Sequence, residues 1–252
     1  MKILITFAVE AEFAPWRNMR QFSESAAAGV KIYATQIANT ELTVLLTGVG
    51  GRKAWAEATK IIWDGNMDVC ISSGLAGALK AEHRPGDILA AREVHATNWN
   101  KVIPSDSALL KLASAAGAKV VDAFYSADRV LIRAEDKRQL GSKADAVEME
   151  SGDILLEAVA FGAKVIAVRG ISDAAGEDLP LDFNRTTTDS GDISISRVLK
   201  EAVRHPGSVL GLIRFGLQSR RAAAHLARFL DGFVVKLSQA DLPKKAEEVS
   251  AR

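Results

Sequence analysis

The segment Val147–Asp173, VEMESGDILLEAVAFGAKVIAVRGISD, constrains this chain more than any other. Val147 and Met149 alternate with Glu148 and Glu150, the period of a strand edge. Ser151 and Asp153 follow with the chemistry of a helix N-terminus, and Ile154, Leu155, Ala158 and Phe161 repeat at helical spacing up to Gly162. Lys164–Val168 is a β-branched run between Gly162 and Gly170, which predicts a buried strand. A strand–helix–strand unit of this kind belongs to an open α/β sheet, where ligands bind beyond the carboxyl ends of the strands. Glu150 then stands at one strand end, and Arg169, Ser172 and Asp173 at another, facing a common cleft.

The rest of the chain supplies partners for that unit. Lys2–Val9 is a first strand that ends at Glu10 and Glu12, where a helix start favours carboxylates. Val30–Ile37 and Glu41–Thr47 read as a hairpin around Ala38-Asn39-Thr40, Asp68–Ser73 and Gly86–Ala96 as strands, and Val120–Tyr125 as another. Asp106–Ala116 and Asp192–Val203 read as helices, the second stopped at His205-Pro206. One domain follows, residues 1–235, three-layered, with a central mixed β-sheet flanked by helices. It includes a helical extension from about residue 205, and 236–252 is a polar tail.

Charge and cysteine usage exclude several classes. With 32 basic and 31 acidic residues, the net charge of +1 gives no field that draws nucleic acid. The single cysteine, Cys70, lies in the apolar run DVCIS, so it reads as an inert core thiol with no disulfide partner. MKILITFAVEAE carries one lysine and is interrupted by Glu10, so it reads as a strand, not a signal peptide. No apolar run approaches the roughly 20 residues of a membrane span, and the expectation is a cytoplasmic protein. A basic amphipathic stretch over 206–233, with Arg220, Arg221 and Arg228, reads as a packed helix, with membrane-surface contact as its alternative.

Two other motifs invite cofactors and do not support them. TGVGGRKAWAEA offers Gly48-x-Gly50, but Lys53 stands where a dinucleotide fingerprint has its third small residue, and Ala54 comes one place late. The acidic residue about 20 positions on, Asp68, precedes a strand and does not end one. Arg52 there reads as a residue near a ligand or at a subunit contact. His95 ends a strand with no second histidine at a ligand spacing, so no metal is expected; it reads as a hydrogen-bonded histidine or a general acid.

VEMES followed in order by VRGISD resembles the paired signature of the purine nucleoside phosphorylase and nucleosidase superfamily, most nearly its 5′-methylthioadenosine/S-adenosylhomocysteine nucleosidases. The resemblance covers roughly Met1–Phe183. It implies a hydrolase of nucleoside catabolism that releases adenine from a 5′-modified adenosine, needs no cofactor, and works as a homo-oligomer. By the resemblance, Asp173 is the acid at purine N7, and burial must raise its value from the ordinary carboxylate range near 4. Glu150 holds the ribose hydroxyls, Met149 packs on the sugar, and Glu12 with Arg169 positions and deprotonates water. Gly74, Leu75, Ala76 and Gly77 form the loop beneath ribose and base; Ser172 and either Phe124 or Tyr125 line the base site, although a strand aromatic is by default core.

Three departures bear on the chemistry. Phosphorylases of the superfamily carry an arginine two residues before the first loop glycine, and here that position is Ser72. The nucleosidases carry a serine directly after that glycine, and here it is Leu75. The exit from His95 to Asn100 is shorter than the nucleosidase loop that helps build the 5′ pocket and a dimer contact. Hydrolysis is the expected reaction. A phosphorylase, acting for example on a lipid-linked adenosine of the hopanoid type, and an inactive nucleoside-binding protein are the alternatives.

Overall fold

Strand β1 (Lys2–Phe7) shows how the layers arise. Ile3, Ile5 and Phe7 enter one apolar cluster and Leu4 the opposite one, so alternation buries both faces. The computed structural model describes residues 1–27, 30–49, 59, 66–185 and 209–242. The predicted helix Asp192–Val203, the glycine turn residues Gly50–Ala54 with Arg52, and the end of the tail lie outside the described residues.

After β1 come α1 (Glu10–Arg17), β2 (Ser23–Ala27), β3 (Val30–Ile37), β4 (Thr40–Leu46), β5 (Val69–Ser72) and β6 (Leu75–Ala78). Then follow β7 (Ile88–Ala96), β8 (Lys101–Pro104), α2 (Ser107–Ala115), β9 (Lys119–Ser126), α3 (Ala134–Leu140) and β10 (Ala146–Glu148). The chain continues through α4 (Ser151–Ala160), β11 (Lys164–Asp173) and α5 (Val209–Gln239). The strands form one mixed sheet in the order β2-β3-β4-β1-β5-β11-β6-β10-β9-β7-β8, as the α/β reading requires.

β11 is the hinge of this sheet. Its first half, Lys164–Ala167, runs parallel to β5, and its second half turns to pair with β6. Between them, Val168–Gly170 also pairs antiparallel with Ala90–Ile88 of β7. The pairings β11–β6–β10–β9–β7–β11 therefore close a small ring of strands beside the open half of the sheet. α4 packs on one side with Ile154, Leu155 and Ala158. α1, α2 and α5 cover the other with Phe13, Trp16, Leu109, Leu226, Leu230 and Phe233.

Several elements differ from the sequence reading. Leu75–Ala78, read as a turn, is the strand β6; its short side chains leave the sheet room to fold back on itself. β11 runs five residues past Val168, so Arg169 lies inside the strand and not at its exit. β10 has only three residues, all buried, so Glu148 is not an edge carboxylate in solvent. The helix start attributed to Ser151 and Asp153 is capped from outside: Glu148 Oε2 accepts from Ser151 N (2.8 Å) and Glu150 N (3.0 Å). β2, β8 and α3 are further elements with no clear periodic signal in the sequence. α5 continues to Gln239, past the proposed boundary at 235. No described helix is long and apolar enough to cross a membrane.

Candidate active site

A cleft of about 840 Å³ opens at the carboxyl ends of β1, β10 and β11. Glu12, Leu75, Ala76, Gly77, Met149, Glu150, Ser172 and Asp173 line it together, and Gly74 does not. Much of the remaining lining is apolar, with Val9, Pro15, Val49, Leu131, Leu179, Phe183 and Phe215, beside Arg129 and Arg220.

Glu12 stands at the third position of α1 and reaches back over the helix start. Its Oε2 accepts from Ala8 N (3.0 Å) and Val9 N (3.3 Å), and its Oε1 from Leu75 N (2.9 Å). Burial pushes its carboxyl above the ordinary value of 4.5; the Leu75 amide, the Arg169 charge and the other two amides oppose that rise without cancelling it. Gly74, with φ +143°, admits this arrangement, because a Cβ there would lie 3.1 Å from both Glu12 oxygens. Leu75 departs from the nucleosidase pattern in its side chain, yet what it gives Glu12 here is its backbone N–H.

Asp173 is aimed by an irregularity in the sheet. The β11–β6 register shifts between Ile171 and Asp173, a bulge that leaves Ser172 without a partner opposite and turns the Asp173 carboxylate to the cleft. Ser172 Oγ donates to Asp173 Oδ1 at 2.6 Å and lies 3.2 Å from Ala76 O. The other oxygen, Oδ2, takes a 2.5 Å contact from Lys137 Nζ. Lys137 lies on α3, and nothing in its sequence neighbourhood marked it; a lysine in a polar heptamer reads as surface, and this one is 1% exposed.

Arg169 does not line the cleft. It is fully buried behind it, and its Nη2 donates to Glu148 Oε2 (2.5 Å), Ser151 Oγ (2.9 Å) and Ser72 Oγ (3.1 Å). Nη1 donates to Val168 O (3.2 Å), and Glu150 Oε2 stands 3.9 Å from Nη2. Arg169 thus acts on the cleft through its charge on Glu12 and through the carboxylates it holds. The alternation of Val147–Glu150 gives Glu148 no role of its own; the structure gives it one, buried against Arg169.

The two aromatic candidates do not line the cleft either. Phe124 is fully buried in the core beside α4, and Tyr125 packs on the small cluster of Leu79, Ala123 and Val147, because neighbours on β9 point to opposite faces. His95 pairs with Glu93 Oε1 at 2.8 Å and is not a cleft residue. Among the described residues, Glu82, His83 and Asp145 bring ligand atoms within 4.8 Å of one another, away from the cleft. Asp145 is already engaged by Lys80 (2.8 Å), His83 (3.0 Å) and the N–H groups of Asp122 and Ala123.

Fold and site together define an α/β protein with a carboxylate-lined small-molecule cleft at the end of a mixed sheet. The chain belongs to the phosphorylase superfamily, whose family model matches residues 2–204. It is 28% identical over 225 residues to a 5′-methylthioadenosine/S-adenosylhomocysteine nucleosidase of Shewanella halifaxensis, covering 79% of this chain and 97% of that one. In structure it is similar to a mutant of the Helicobacter pylori 5′-methylthioadenosine/S-adenosylhomocysteine nucleosidase with 5′-methylthioadenosine in the active site. The TM-score is 0.70 at 21% identity, covering 92% and 97% of the two chains. The native futalosine hydrolase of Helicobacter pylori gives a TM-score of 0.70 at 22% identity, over 93% and 97%.

Proposed function

We propose that this protein hydrolyses the N-glycosidic bond of an adenosine-type nucleoside carrying a 5′ modification. The observation that carries the reading is the meeting of Glu12, Glu150 and Asp173 around one cleft, with Met149 also in its lining. Nucleosidases and a hydrolase among the relatives support the same reaction class.

Breaking the bond places positive charge on the sugar and electrons on the base. Asp173 faces the base and hands a proton to the purine ring nitrogen, a transfer worth about 10²–10⁴-fold when positioned. Glu150 accepts from the ribose hydroxyls, and its negative charge favours the cationic sugar. Glu12, made a better proton acceptor by its burial, takes the proton of the attacking water. Arg169 keeps Glu148 in place, and Glu148 in turn fixes the backbone at Glu150 and Ser151. Ser72, where a phosphorylase would place arginine, is a buried hydroxyl bonded to Ser151 and Arg169, which favours water over phosphate.

The apolar part of the lining fits a 5′ substituent more hydrophobic than a hydroxyl. The reading includes a cytoplasmic homo-oligomer. Trp99, Val102, Val159 and Phe161, all exposed around α4 and β8, are the surface that supports self-association. The test of the function is base release from a panel of 5′-modified adenosines. Adenine and a free ribose derivative are expected, and no release from any member overturns the reading.

A further inference from the structure

Lys137 is out of place for a structural lysine. It is 1% exposed, and all three protons of an ammonium have an acceptor: Asp173 Oδ2 (2.5 Å), Glu177 O (2.8 Å) and Ala174 O (3.2 Å). A neutral amine has only two donors, so this acceptor set calls for the charged form. The surrounding chain is built to keep it there. Asp178 Oδ1 accepts from Ala134 N (2.7 Å) at the start of α3, and Leu179 N donates to Ile132 O (2.8 Å). Glu177 Oε2 accepts from Ala174 N (3.1 Å), and Glu177 also pairs with Arg214 of α5.

Asp173 has a matching difficulty. The Lys137 ammonium donates to Oδ2, while Ser172 Oγ, with one proton, stands 2.6 Å from Oδ1 and 3.2 Å from Ala76 O; ammonium against carboxyl oxygen is the arrangement of an ion pair. An ionised carboxylate has no proton to give a departing base. The proton has to be stored beside it, and Lys137 is the group that touches it. This step rests on the glycosidic-cleavage reading above.

We propose that Lys137 supplies the proton that Asp173 delivers to the leaving purine, ammonium and carboxylate working as one proton-holding pair. As the C1′–N9 bond breaks, its electron pair goes to the purine. An N–H proton of Lys137 passes to Oδ2 of Asp173 and on to a ring nitrogen, so the pair ends as a carboxylate and a neutral amine. Water forms the new bond to C1′ and gives its proton to Glu12. The amine left at Lys137 regains a proton from solvent as the products leave, while Glu12 loses its own. Lys137 borders the cleft but is 1% exposed and engages Asp173, so it is a positioning residue that acts through the carboxylate.

The test compares two leaving groups on one sugar. A 5′-modified adenosine needs its base protonated, whereas the riboside of 4-nitrophenol with the same 5′ group departs as a stable anion. Lys137→Met is expected to slow adenine release by about 10²-fold or more, with 4-nitrophenolate release near that of the wild type. The ratio of the two rates does not depend on how much protein is folded. Should Lys137→Met fail to give a folded, active preparation, Lys137→Gln, which keeps donors for the two carbonyls, is read by the same ratio. A ratio unchanged from wild type in the folded variant overturns the proposal, whether both rates fall or neither does. Wild-type protein that cleaves no nucleoside overturns the functional reading, and the proposal with it.

Discussion

A Cβ on Gly77 would lie 2.9 Å from Oδ2 of Asp173, closer than such atoms pack. Glycine at this place in β6 is therefore the space in which the carboxylate stands. The carboxylate cannot simply swing away, because Ser172 holds one oxygen and Lys137 the other. Gly77→Ala is expected to displace Asp173 at an overpacking cost of about 1–3 kcal/mol and to lower turnover more than substrate binding. Thermal unfolding together with kcat and KM checks this, and unchanged kcat would show that the carboxylate relocates freely.

Asp173→Asn keeps the shape and removes the acid. Turnover on 5′-modified adenosines should fall by about 10²–10⁴-fold with the fold intact. Circular dichroism and steady-state rates measure the two halves of that statement, and a variant with near-native turnover removes Asp173 from the mechanism.

Glu150→Gln tests the sugar contact. A hydrogen bond to a charged group contributes about 1.5–3 kcal/mol, so kcat/KM on the ribonucleoside should drop from about tenfold to roughly hundredfold. The wild-type advantage of ribo- over 2′-deoxyribonucleosides should shrink in the variant, because one of the lost contacts is to the 2′-hydroxyl. Equal losses on both substrates would leave Glu150 with no role at that hydroxyl.

Glu12 predicts two opposite pH dependences. Its carboxyl is raised by burial, so hydrolysis should fail on the acid side at a pH above the ordinary glutamate value of 4.5, where Glu12 becomes protonated. Stability runs the other way. The folded state holds the Glu12 proton more tightly than the unfolded chain, so this residue's contribution is fully present below 4.5 and is lost as pH rises through the folded value. The pH profile of kcat/KM and urea midpoints across the same range, each compared with Glu12→Gln, read the two effects. A wild-type acid limb at the ordinary glutamate value contradicts the first.

What was legible in the sequence follows from how local each signal is. The unit Val147–Asp173 announces itself because strand and helix periods are written in its own residues, and Glu12, Glu150 and Asp173 stand at ends that those periods define. β6 was missed because Leu75-Ala-Gly-Ala has the small residues of a turn, and only pairing with β10 and β11 makes it a strand. Arg169 was placed at the strand exit because Gly170 reads as a stop, whereas β7 and β6 pair with the backbone beyond it. Lys137 left no trace: its function depends on α3 meeting the turn after β11, a contact between residues 36 or more apart. Phe124 and Tyr125 point to opposite faces of β9 and neither lines the cleft, because β10 and the residues after it, and not β9, front it.

Water against phosphate is the prediction on which the reaction class turns. A phosphate site needs fixed positive charge, and the guanidinium is the group best shaped for it. Arg169 stands 3.9 Å from Glu150, but it is fully buried and committed to Glu148, Ser151, Ser72 and the Val168 carbonyl. Lys137 is committed to Asp173, and Arg129 and Arg220 line the cleft from exposed positions. Glu12, held by three backbone N–H groups beside Leu75, presents negative charge where a phosphate dianion would have to enter. Base release from 5′-methylthioadenosine is therefore expected in phosphate-free buffer, with a free 5-methylthioribose as the sugar product. It should be lost in Glu12→Gln. Release that requires phosphate and yields the sugar 1-phosphate would make this chain a phosphorylase and assign Arg129 or Arg220 to the anion.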